Sequence, residues 1–391
     1  MSDRTRSIVI PTALVLLVIG WTAARGSAAQ PWRVIAVGDS RGDYNGVNTP
    51  ILTELASRIV AEHPDVVLFP GDLVNGAGDT ATLTLQLTTW RTVMQPVYDA
   101  GITVLAIRGN HENSGPVAAW NNVFTGAYAM PNNGPPGEVN ITFSLTHKTA
   151  FFVGLDQYSG HDHRVNQAWL GDGQLDDGQL AANTKPHVFV MGHEPAYKAN
   201  HADCLDDYPT NRNTFWASVA AAGGRTYFCG HDHFYNHARI NDGDGDPNDD
   251  LHQLIVGSGG APFHTSYAFD GNNGGMVPLM QYFAVAYGYV VIDIDGLDVT
   301  LIWKQRMSAN NYTALETWSY TVPPNVGDAN CDGLVDFDDI NPFVAALVDR
   351  EGYESQYPGC PWLSGDIDGS GAVDFDDINP FVACLAVGEC L

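Results

Sequence analysis

Residues 66–75 read Val-Val-Leu-Phe-Pro-Gly-Asp-Leu-Val-Asn, an apolar run that stops at Pro70 and is followed by Gly71-Asp72. Four consecutive apolar residues bounded by a proline and a glycine predict a buried strand over Val66–Phe69. Asp72 then lies just past the carboxyl end of that strand, where α/β sheets place their functional side chains. The segment therefore predicts an α/β sheet and, within it, the position of a polar site.

The same arrangement recurs on both sides of this segment. Residues 30–322 alternate short β-rich runs with helical stretches, which is typical of a layered α/β core. Helices are predicted at 48–62 and 81–100, where apolar positions follow the helical period. The predicted strands are Arg33–Val37, Val66–Phe69, Thr103–Ile107, Ala150–Leu155, His187–Met191, Thr226–Phe228, Gln253–Val256 and Tyr289–Ile294.

Length and composition limit the classes of protein to consider. A chain of 391 residues is long enough for two or three domains, and 45% hydrophobic against 16% charged residues excludes wholesale disorder. The 18 basic and 45 acidic side chains give a net charge of −27, which excludes a strongly basic nucleic-acid binder. Residues 323–391 hold fourteen of the acidic side chains and one arginine, so this end of the chain needs its own explanation.

The first 29 residues are typical of a secretory signal. Arg4 and Arg6 precede an apolar stretch over 7–21, and small residues occupy 27–29. A stretch of fifteen residues falls short of the roughly 20 that span a bilayer. We therefore predict cleavage near Ala29, no transmembrane anchor in the mature chain, and a secreted, periplasmic or cell-surface protein; an uncleaved anchor is the alternative.

Export would place the six cysteines in a compartment where disulfides persist. None of them has the C-x-x-C spacing of a zinc site, so bridges are the better interpretation. We expect a Cys204–Cys229 bridge in the large domain. Two further bridges are expected among the last four cysteines, with their pairing left open: Cys331, Cys360, Cys384 and Cys390.

The acidic end of the chain contains an internal repeat. Pro323-Pro324-Asn325 predicts a short stiff linker, and residues 327–343 return at 365–381, an offset of 38. Each copy places oxygen-bearing residues at alternating positions around a glycine, which is the EF-hand calcium-loop pattern. The expected calcium ligands are Asp328, Asn330, Asp332, the Leu334 carbonyl, Asp336 and Asp339 in the first loop, and Asp366, Asp368, Ser370, the Ala372 carbonyl, Asp374 and Asp377 in the second.

Each loop leads into the same helix-like segment, Asp-Ile-Asn-Pro-Phe-Val. The pair resembles the dockerin domains of other secreted proteins, and the resemblance implies a small all-α domain over 323–391 that binds two Ca²⁺. It also implies a cohesin-like or cell-surface partner. The last loop residue is aspartate in both copies rather than the usual glutamate, which leaves the calcium affinity open.

Five polar clusters in the large domain carry residue types that bind metals. They are Gly38-Asp39-Ser40-Arg41, Gly71-Asp72-Leu73-Val74-Asn75, Gly109-Asn110-His111-Glu112, Gly192-His193-Glu194-Pro195 and Gly230-His231-Asp232-His233. Taken in this order, the set resembles the calcineurin-like metallophosphoesterase superfamily over most of residues 31–305. That resemblance implies a layered β-sheet sandwich flanked by helices, which we expect to occupy 30–322.

The resemblance also implies the roles of single residues. Asp72 should bridge two divalent transition metals, zinc, manganese or iron, which together provide a nucleophilic hydroxide and neutralise phosphoryl charge. Asp39 and His233 should complete one metal site, and Asn110, His193 and His231 the other. His111 matches the catalytic histidine that binds a phosphoryl oxygen or protonates the leaving group. The substrate is then a phosphate ester, and no nucleic-acid scaffold is expected as a partner.

The first cluster departs from the pattern of the superfamily. Many members have Asp-x-His there, whereas this chain has Asp39-Ser40-Arg41, and arginine has no lone pair to offer a metal. Either Arg41 clamps a phosphate oxygen while Asp43, Asn45 or water takes the missing position, or the first metal site is weak. Asn75 stands where purple acid phosphatases have a metal-binding tyrosine, which argues against that subgroup.

Two functions of different classes follow from these patterns. The first is a secreted metal-dependent phosphoesterase with a calcium-binding docking module. The second is a catalytically degenerate scaffold that acts through its C-terminal module. Four single histidines outside the clusters are interpreted as ordinary packing or surface residues: His63, His147, His187 and His264.

Overall fold

The computed structural model describes residues 31–171, 178–267, 275–358, 360–388 and 390. The predicted signal segment lies outside these residues. A search of the described helices finds none with the length and apolarity needed to cross a membrane.

Fifteen strands are found in the described residues. They are β1 (Trp32–Ala36), β2 (Arg41–Gly42), β3 (Gly46–Val47), β4 (Val66–Phe69), β5 (Thr103–Ala106), β6 (Phe143–His147), β7 (Ala150–Leu155), β8 (His187–Gly192), β9 (Thr226–Cys229), β10 (Tyr235–Asn241), β11 (Leu251–Val256), β12 (Val277–Ala284), β13 (Gly288–Asp295), β14 (Asp298–Ser308) and β15 (Asn311–Thr321).

Eleven α-helices accompany the strands in the same described part of the chain. They are α1 (Thr49–Glu62), α2 (Thr80–Val93), α3 (Gln95–Asp99), α4 (Asn110–Asn113), α5 (Val117–Val123), α6 (Gln167–Leu170), α7 (Gly178–Ala181), α8 (Pro209–Ala221), α9 (Ile340–Val348), α10 (Arg350–Gln356) and α11 (Ile378–Val387).

The strands of the large domain form two sheets and a small hairpin. The six-stranded sheet has the order β15-β14-β13-β1-β4-β5, the seven-stranded sheet has the order β12-β10-β11-β9-β8-β7-β6, and β2 pairs with β3. Within the sheets β1-β4-β5 and β7-β8-β9-β11 run parallel. This confirms the predicted layered α/β sandwich, and all eight predicted strands are present.

The alternation of side chains along each strand separates two hydrophobic cores. Phe152 and Phe189 of the seven-stranded sheet join the core between the sheets, which also contains residues of β1, β4 and helices α1 and α2. Their neighbours Val153 and Val190 point to the other face and pack under α8. Successive residues of a strand face opposite sides of the sheet, so a strand that is buried on both faces needs apolar residues nearly throughout. Strands β7 and β8 are of this kind, and all of their residues are buried.

Two predictions about local structure need correction. The helix predicted over 81–100 is divided into α2 and α3 at Met94, because Pro96 has no N–H to continue the ladder of the first helix. The Cys204–Cys229 bridge is absent, and both cysteines are free and buried. Cys229 ends β9 with its thiol directed at the Leu254 carbonyl, 3.6 Å away, and burial raises the pKa of both thiols.

The C-terminal domain is all-α in its described residues, as predicted. Disulfides join Cys331 to Cys360 and Cys384 to Cys390, which confirms two bridges among the last four cysteines and gives their pairing. The repeat brings Phe343 and its counterpart 38 residues later, Phe381, into a stacked pair at 4.1 Å between ring centroids. The duplicated sequence thus packs its two halves on each other through equivalent side chains.

Candidate metal centre

Five loops carry the candidate site, and each follows the carboxyl end of a strand. Strands β1, β4 and β5 lead to Asp39, Asp72 and Asn110, while β8 and β9 lead to His193 and His231. The strands within each of these groups run parallel, so their carboxyl ends lie at one edge of their sheet. The structure therefore brings together clusters that are far apart along the chain. For example, the His231 N–H donates to Asp39 Oδ1 over 3.0 Å, although the two residues are 192 positions apart.

Backbone hydrogen bonds tie these loops into one unit. The Asp39 N–H donates to the Gly71 carbonyl over 3.1 Å, and the Gly230 N–H donates to the His193 carbonyl over 2.9 Å. A further segment, residues 257–262, closes the site because the Ala261 N–H donates to the Asp39 carbonyl over 2.8 Å. Loops of both sheets are thus held in a fixed mutual geometry.

Three of the candidate ligands have left-handed backbone conformations. Asp39 has a φ of 58°, Asp72 of 50° and His231 of 68°. Such conformations are uncommon for residues with a side chain and cost of order 1–3 kcal/mol each. They persist because the hydrogen-bonded loops leave no alternative, and they turn these side chains towards a common centre.

Glycines leave room for the carboxylates of this centre. A methyl group at Gly109 would collide with Asp72 Oδ1, and one at Gly230 would collide with Asp39 Oδ2. These two glycines begin the Gly-Asn-His and Gly-His-Asp motifs. In each motif, a carboxylate from another loop comes so close that only glycine leaves enough room. The sequence pattern therefore has a steric reason that only the assembled site reveals.

The first group of candidate ligands is formed by Asp39, Asp72 and His233. One potential ligand atom from each lies within 4.8 Å of the other two, and all three side chains are buried. The Nδ1 of His233 is 2.7 Å from the Pro262 carbonyl, so Nδ1 carries the proton and Nε2 keeps its lone pair, 3.5 Å from Asp39 Oδ1. Asp39 Oδ2 is buried without a hydrogen-bond partner.

The second group is formed by Asn110, His193 and His231 beside the same Asp72. His193 Nδ1 donates to the Pro70 carbonyl over 2.8 Å, which leaves Nε2 free at 3.1 Å from Asn110 Oδ1 and 3.4 Å from Asp72 Oδ1. The rings of His193 and His231 are 5.1 Å apart, and the buried His231 Nε2 has no hydrogen-bond partner. Carboxylate, amide and imidazole atoms that converge on one centre are a donor set that fits a pair of divalent transition metals.

The electrostatics of the site are those of groups removed from water. Burial, then the neighbouring Asp72, raises the pKa of Asp39 well above its usual range. Burial, assisted by His231, lowers the pKa of His193 to about 4, and burial with His264 and Arg41 lowers that of His233 to about 3. Both imidazoles are therefore neutral at physiological pH, which is the state that can donate a lone pair to a metal.

Glu112 fixes two of the loops relative to each other. Its carboxylate is 1% exposed and accepts three backbone N–H groups: Gly109 at 2.7 Å, Asp72 at 3.1 Å and Val74 at 2.9 Å. Burial, then the nearby Asp72, raises the pKa of Glu112 to about 8. Glu112 is thus a positioning residue for the second and third clusters.

His111 lies at the open side of the centre. Its Nδ1 is 2.6 Å from the Asn75 carbonyl, its Nε2 is 3.8 Å from Asp72 Oδ2, and 28% of its side chain is exposed. The Asn75 amide donates to the carbonyls of Gly42 and Asp43 and so holds the β2–β3 hairpin against the second cluster. Asn75 therefore orients His111 through its own backbone, a role that its sequence position did not indicate.

Arg41 points into the centre. Its Nε is 3.4 Å from Asp72 Oδ2, and its side chain is 22% exposed. Asn45, which we considered for the missing ligand position, uses its amide to bond Thr49 and the Val47 N–H instead. Asp43 is exposed. Among the described residues, Asp43 belongs to no group of converging histidine, cysteine, aspartate and glutamate side chains.

A third histidine group adjoins the centre, and sequence reasoning missed it. His201 and His264 lie on either side of Asp232, with His201 Nδ1 2.7 Å and His264 Nδ1 3.8 Å from Asp232 Oδ1. The His264 ring stacks on that of His233 at 4.0 Å, so this histidine, interpreted from the sequence as an ordinary packing or surface residue, packs against the candidate centre. The position of Asp232 between His231 and His233 was the only sequence signal for this group.

The first acidic loop of the C-terminal domain folds around Asp328. Asp328 accepts the N–H groups of Asp332 and Gly333, and Asp339 closes the loop by accepting the Asn330 N–H over 3.0 Å. Burial, then the neighbouring Asp339 and Asp332, raises the pKa of Asp328 to about 8. Burial and the crowding of these carboxylates therefore disfavour their charged forms.

The second acidic loop repeats the same bonds 38 residues later. Asp366 accepts the N–H groups of Ser370 and Gly371, and Asp377 accepts that of Asp368 over 3.0 Å. Atoms of Asp366, Asp368 and Asp377 lie within 4.8 Å of one another. Gly333 and Gly371 have φ values of 87° and 89°, so the glycine of each loop makes the turn that the pattern requires.

Comparisons with known proteins bear on the large domain. The sequence profile of the calcineurin-like phosphoesterases matches residues 33–235, slightly more than half of the chain. The chain belongs to the calcineurin-like phosphoesterase family. The matched span includes all five polar clusters, and the family uses a centre of two divalent metals. No curated protein sequence matches the chain significantly.

Solved structures share the fold of this phosphoesterase domain at low sequence identity. The purple acid phosphatase PPD1 of yellow lupin (Lupinus luteus) has a TM-score of 0.55 and 14% identity over 76% of this chain and 54% of its own. GAP50, an anchor in the inner membrane complex of Plasmodium, has a TM-score of 0.53 and 16% identity over 75% of this chain and 89% of its own. PhoD has a TM-score of 0.51 and 12% identity, covering 76% of this chain and 71% of its own. This chain thus spans about half the length of the lupin protein.

Proposed function

We propose that this chain is an exported, metal-dependent phosphoesterase with a calcium-binding docking module at its C-terminus. The observation that carries the proposal is the pair of ligand groups that share Asp72, in which buried Asp39 Oδ2 and His231 Nε2 have no hydrogen-bond partner, although His231 Nε2 lies 3.6 Å from the carboxylate of Asp203. Buried polar atoms without partners are costly, and a metal is what the donor set would satisfy. The two disulfides of the C-terminal domain support export, because such bridges persist in oxidising compartments.

The roles of the residues follow from their places around the centre. One divalent metal would be held by Asp39, Asp72 and His233. The other would be held by Asp72, Asn110, His193 and His231. Together the two metals would supply a water of lowered pKa and positive charge for the phosphoryl oxygens. His111 is partly exposed and held by Asn75, so its Nε2 can donate to a phosphoryl oxygen or to the leaving group. Arg41, at the exposed side of Asp72, can bind a phosphoryl oxygen through its planar fork.

The same Arg41 favours the second candidate, a degenerate scaffold. Its guanidinium pairs with Asp72 and thereby places a fixed positive charge where the first metal site needs a ligand. GAP50, which shares this fold, is described as an anchor. On this proposal the large domain binds no transition metal and the chain acts through its C-terminal module.

Metal content distinguishes the two candidates. We expect the purified chain, supplied with zinc, manganese or iron, to retain about two equivalents of metal by elemental analysis. His193→Ala should lose at least one equivalent of metal, because His193 Nε2 has a lone pair for a metal and lies beside both Asn110 and Asp72. His147→Ala is the matched control, since that histidine faces Asp65 and Trp32 at the start of β1 and should leave the content unchanged. Wild-type protein without bound transition metal would support the scaffold.

For the C-terminal domain, we propose that the two acidic loops bind Ca²⁺ and present a surface to a cohesin-like or cell-surface partner. The support is the identical set of hydrogen bonds in both loops and the convergence of their carboxylates. Asp339 and its counterpart Asp377 are both fully buried, whereas Asp328 of the first loop is buried and its counterpart Asp366 is only half-buried. A side chain at Gly333 would meet Pro186 of the large domain at 3.0 Å, so the first loop lies against that domain.

Calcium should stabilise this domain measurably. We expect millimolar Ca²⁺ to raise the helical circular dichroism of the chain and its resistance to proteolysis after residue 323, and chelation to reverse both changes. Asp377→Ala should weaken the response, because Asp377 contributes to the converging carboxylates and also bonds the Asp368 N–H. Glu351→Ala removes an exposed acidic residue of the same domain outside both loops and serves as the control. Absence of any calcium response in the wild type would refute the loops as calcium sites.

A further inference from the structure

Two aromatic side chains pair on the rim of the candidate centre. The rings of Phe263 and Tyr287 are 4.4 Å apart with an angle of 37° between their planes, and 36% of Phe263 is exposed. Single exposed apolar residues are common on protein surfaces and need no explanation. This pair differs because both of its members are attached to loops of the candidate centre.

Phe263 is held there by both of its neighbours in sequence. The Pro262 carbonyl accepts the Nδ1 proton of His233 over 2.7 Å, and the His264 N–H donates to the His233 carbonyl over 3.2 Å. The His264 ring also stacks on that of His233 at 4.0 Å. Since consecutive Cα atoms are about 3.8 Å apart, Phe263 lies one residue from contacts to His233 on either side.

Tyr287 is attached to the same segment from the other direction. The next residue, Gly288, donates its N–H to the Ser258 carbonyl over 3.2 Å and accepts the Ser258 hydroxyl over 3.0 Å. Asn48, at the end of the hairpin that carries Arg41, donates to the Gly260 carbonyl over 2.6 Å. The aromatic pair therefore stands beside the part of the cleft that Arg41 and His233 line.

We propose that Phe263, supported by Tyr287, forms a platform for the organic part of the substrate, and that the substrates are phosphate esters of planar aromatic groups. This inference rests on the proposed function of the same centre. A flat ring laid on Phe263 gains stacking as well as apolar burial. Aryl and nucleoside esters share this chemistry.

Binding of two phosphonates tests the platform without any turnover. Phenylphosphonate and methylphosphonate have a stable C–P bond and differ in the ring alone, and calorimetry on the full, metal-loaded chain gives their affinities. We expect the wild type to bind phenylphosphonate more tightly, and Phe263→Ala to weaken that ligand by about two- to tenfold while leaving methylphosphonate unchanged. Phe263→Tyr keeps the ring and should keep the preference. Phe337→Ala removes a phenylalanine that is 74% exposed in the C-terminal domain and should change neither affinity.

Hydrolysis distinguishes the two sources of the aromatic group. Phenyl phosphate, adenosine monophosphate and glycerol phosphate are compared as substrates, and Phe263→Ala should raise KM for the aromatic ester that the enzyme uses while sparing glycerol phosphate. Equal affinity of the wild type for the two phosphonates, or equal loss of both in Phe263→Ala, would overturn the platform. A phenyl preference that Phe263→Ala abolishes, without hydrolysis of any ester, would support the platform and contradict the proposed catalysis.

Discussion

Replacement of Asp72 is expected to abolish hydrolysis of phosphate esters. Asp72 is the residue shared by both ligand groups, and its two carboxylate oxygens face His193 on one side and Arg41 and His111 on the other. Loss of an outer partner of a metal ligand already costs roughly 10- to 100-fold in activity or metal affinity. Loss of the shared ligand should therefore lower kcat/KM by at least about 1000-fold.

The informative variant is Asp72→Asn. Asparagine tolerates the left-handed backbone of this position, where φ is 50°, and its amide oxygen can still accept the His111 N–H that Asp72 Oδ1 accepts over 3.2 Å. The fold should remain while the bridging charge is removed. For both Asp72→Asn and Asp72→Ala, metal content is measured by elemental analysis and activity by hydrolysis of a chromogenic phosphate ester. Asp295→Ala, an exposed aspartate in the β13–β14 turn, is the control. More than a tenth of wild-type activity in Asp72→Asn would contradict the assignment.

Replacement of Glu112 by alanine is expected to give the largest loss of stability. The change leaves the N–H groups of Gly109, Asp72 and Val74 buried without an acceptor. An unsatisfied buried donor costs about 1–3 kcal/mol, so the free energy of unfolding should fall by about 3 kcal/mol or more. Activity should fall as well, because the loops of Asp72 and His111 lose the group that joins them.

Urea unfolding followed by tryptophan fluorescence measures this loss. Glu112→Gln keeps one oxygen that can accept a backbone N–H, but its NH₂ group is a donor and faces other backbone donors. The free energy of unfolding of this variant should therefore lie between those of wild type and Glu112→Ala. Glu351→Ala, at an exposed position in the first turn of α10, should change the free energy of unfolding by less than about 0.5 kcal/mol. A loss below 1 kcal/mol in Glu112→Ala would show that water or a shifted loop replaces the carboxylate.

Local sequence patterns were sufficient to predict eight of the described strands of the large domain. Apolar runs such as Val66–Phe69 and Ala150–Leu155 became buried strands because burial on both faces requires apolar residues throughout. The seven described strands that were not predicted include β14 and β15, whose burial alternates or is partial, so that their sequences lack a continuous apolar run. The helix break at Pro96 could have been predicted from the missing N–H.

The candidate site was predictable as a set of residues but not as a geometry. Clusters such as Gly-Asp and Gly-His-Asp-His are short motifs, and their order along the chain was enough for the family resemblance that the comparisons confirm. Their side chains meet only because two sheets face each other, which is decided by contacts between residues far apart in sequence. His201 and His264 were missed for that reason, since they reach Asp232 and His233 through loops without a motif.

The sequence by itself determined the buried apolar strands, the polar clusters that follow them, and the duplicated pair of loops at the acidic end, because apolar runs, turn glycines and repeats are local properties of a chain. Tertiary structure decided the left-handed backbone of Asp39, Asp72 and His231, the pairing of Arg41 with Asp72, and the free thiols of Cys204 and Cys229. Each of these depends on how close two distant segments come once the sheets have packed, and no local pattern contains that distance.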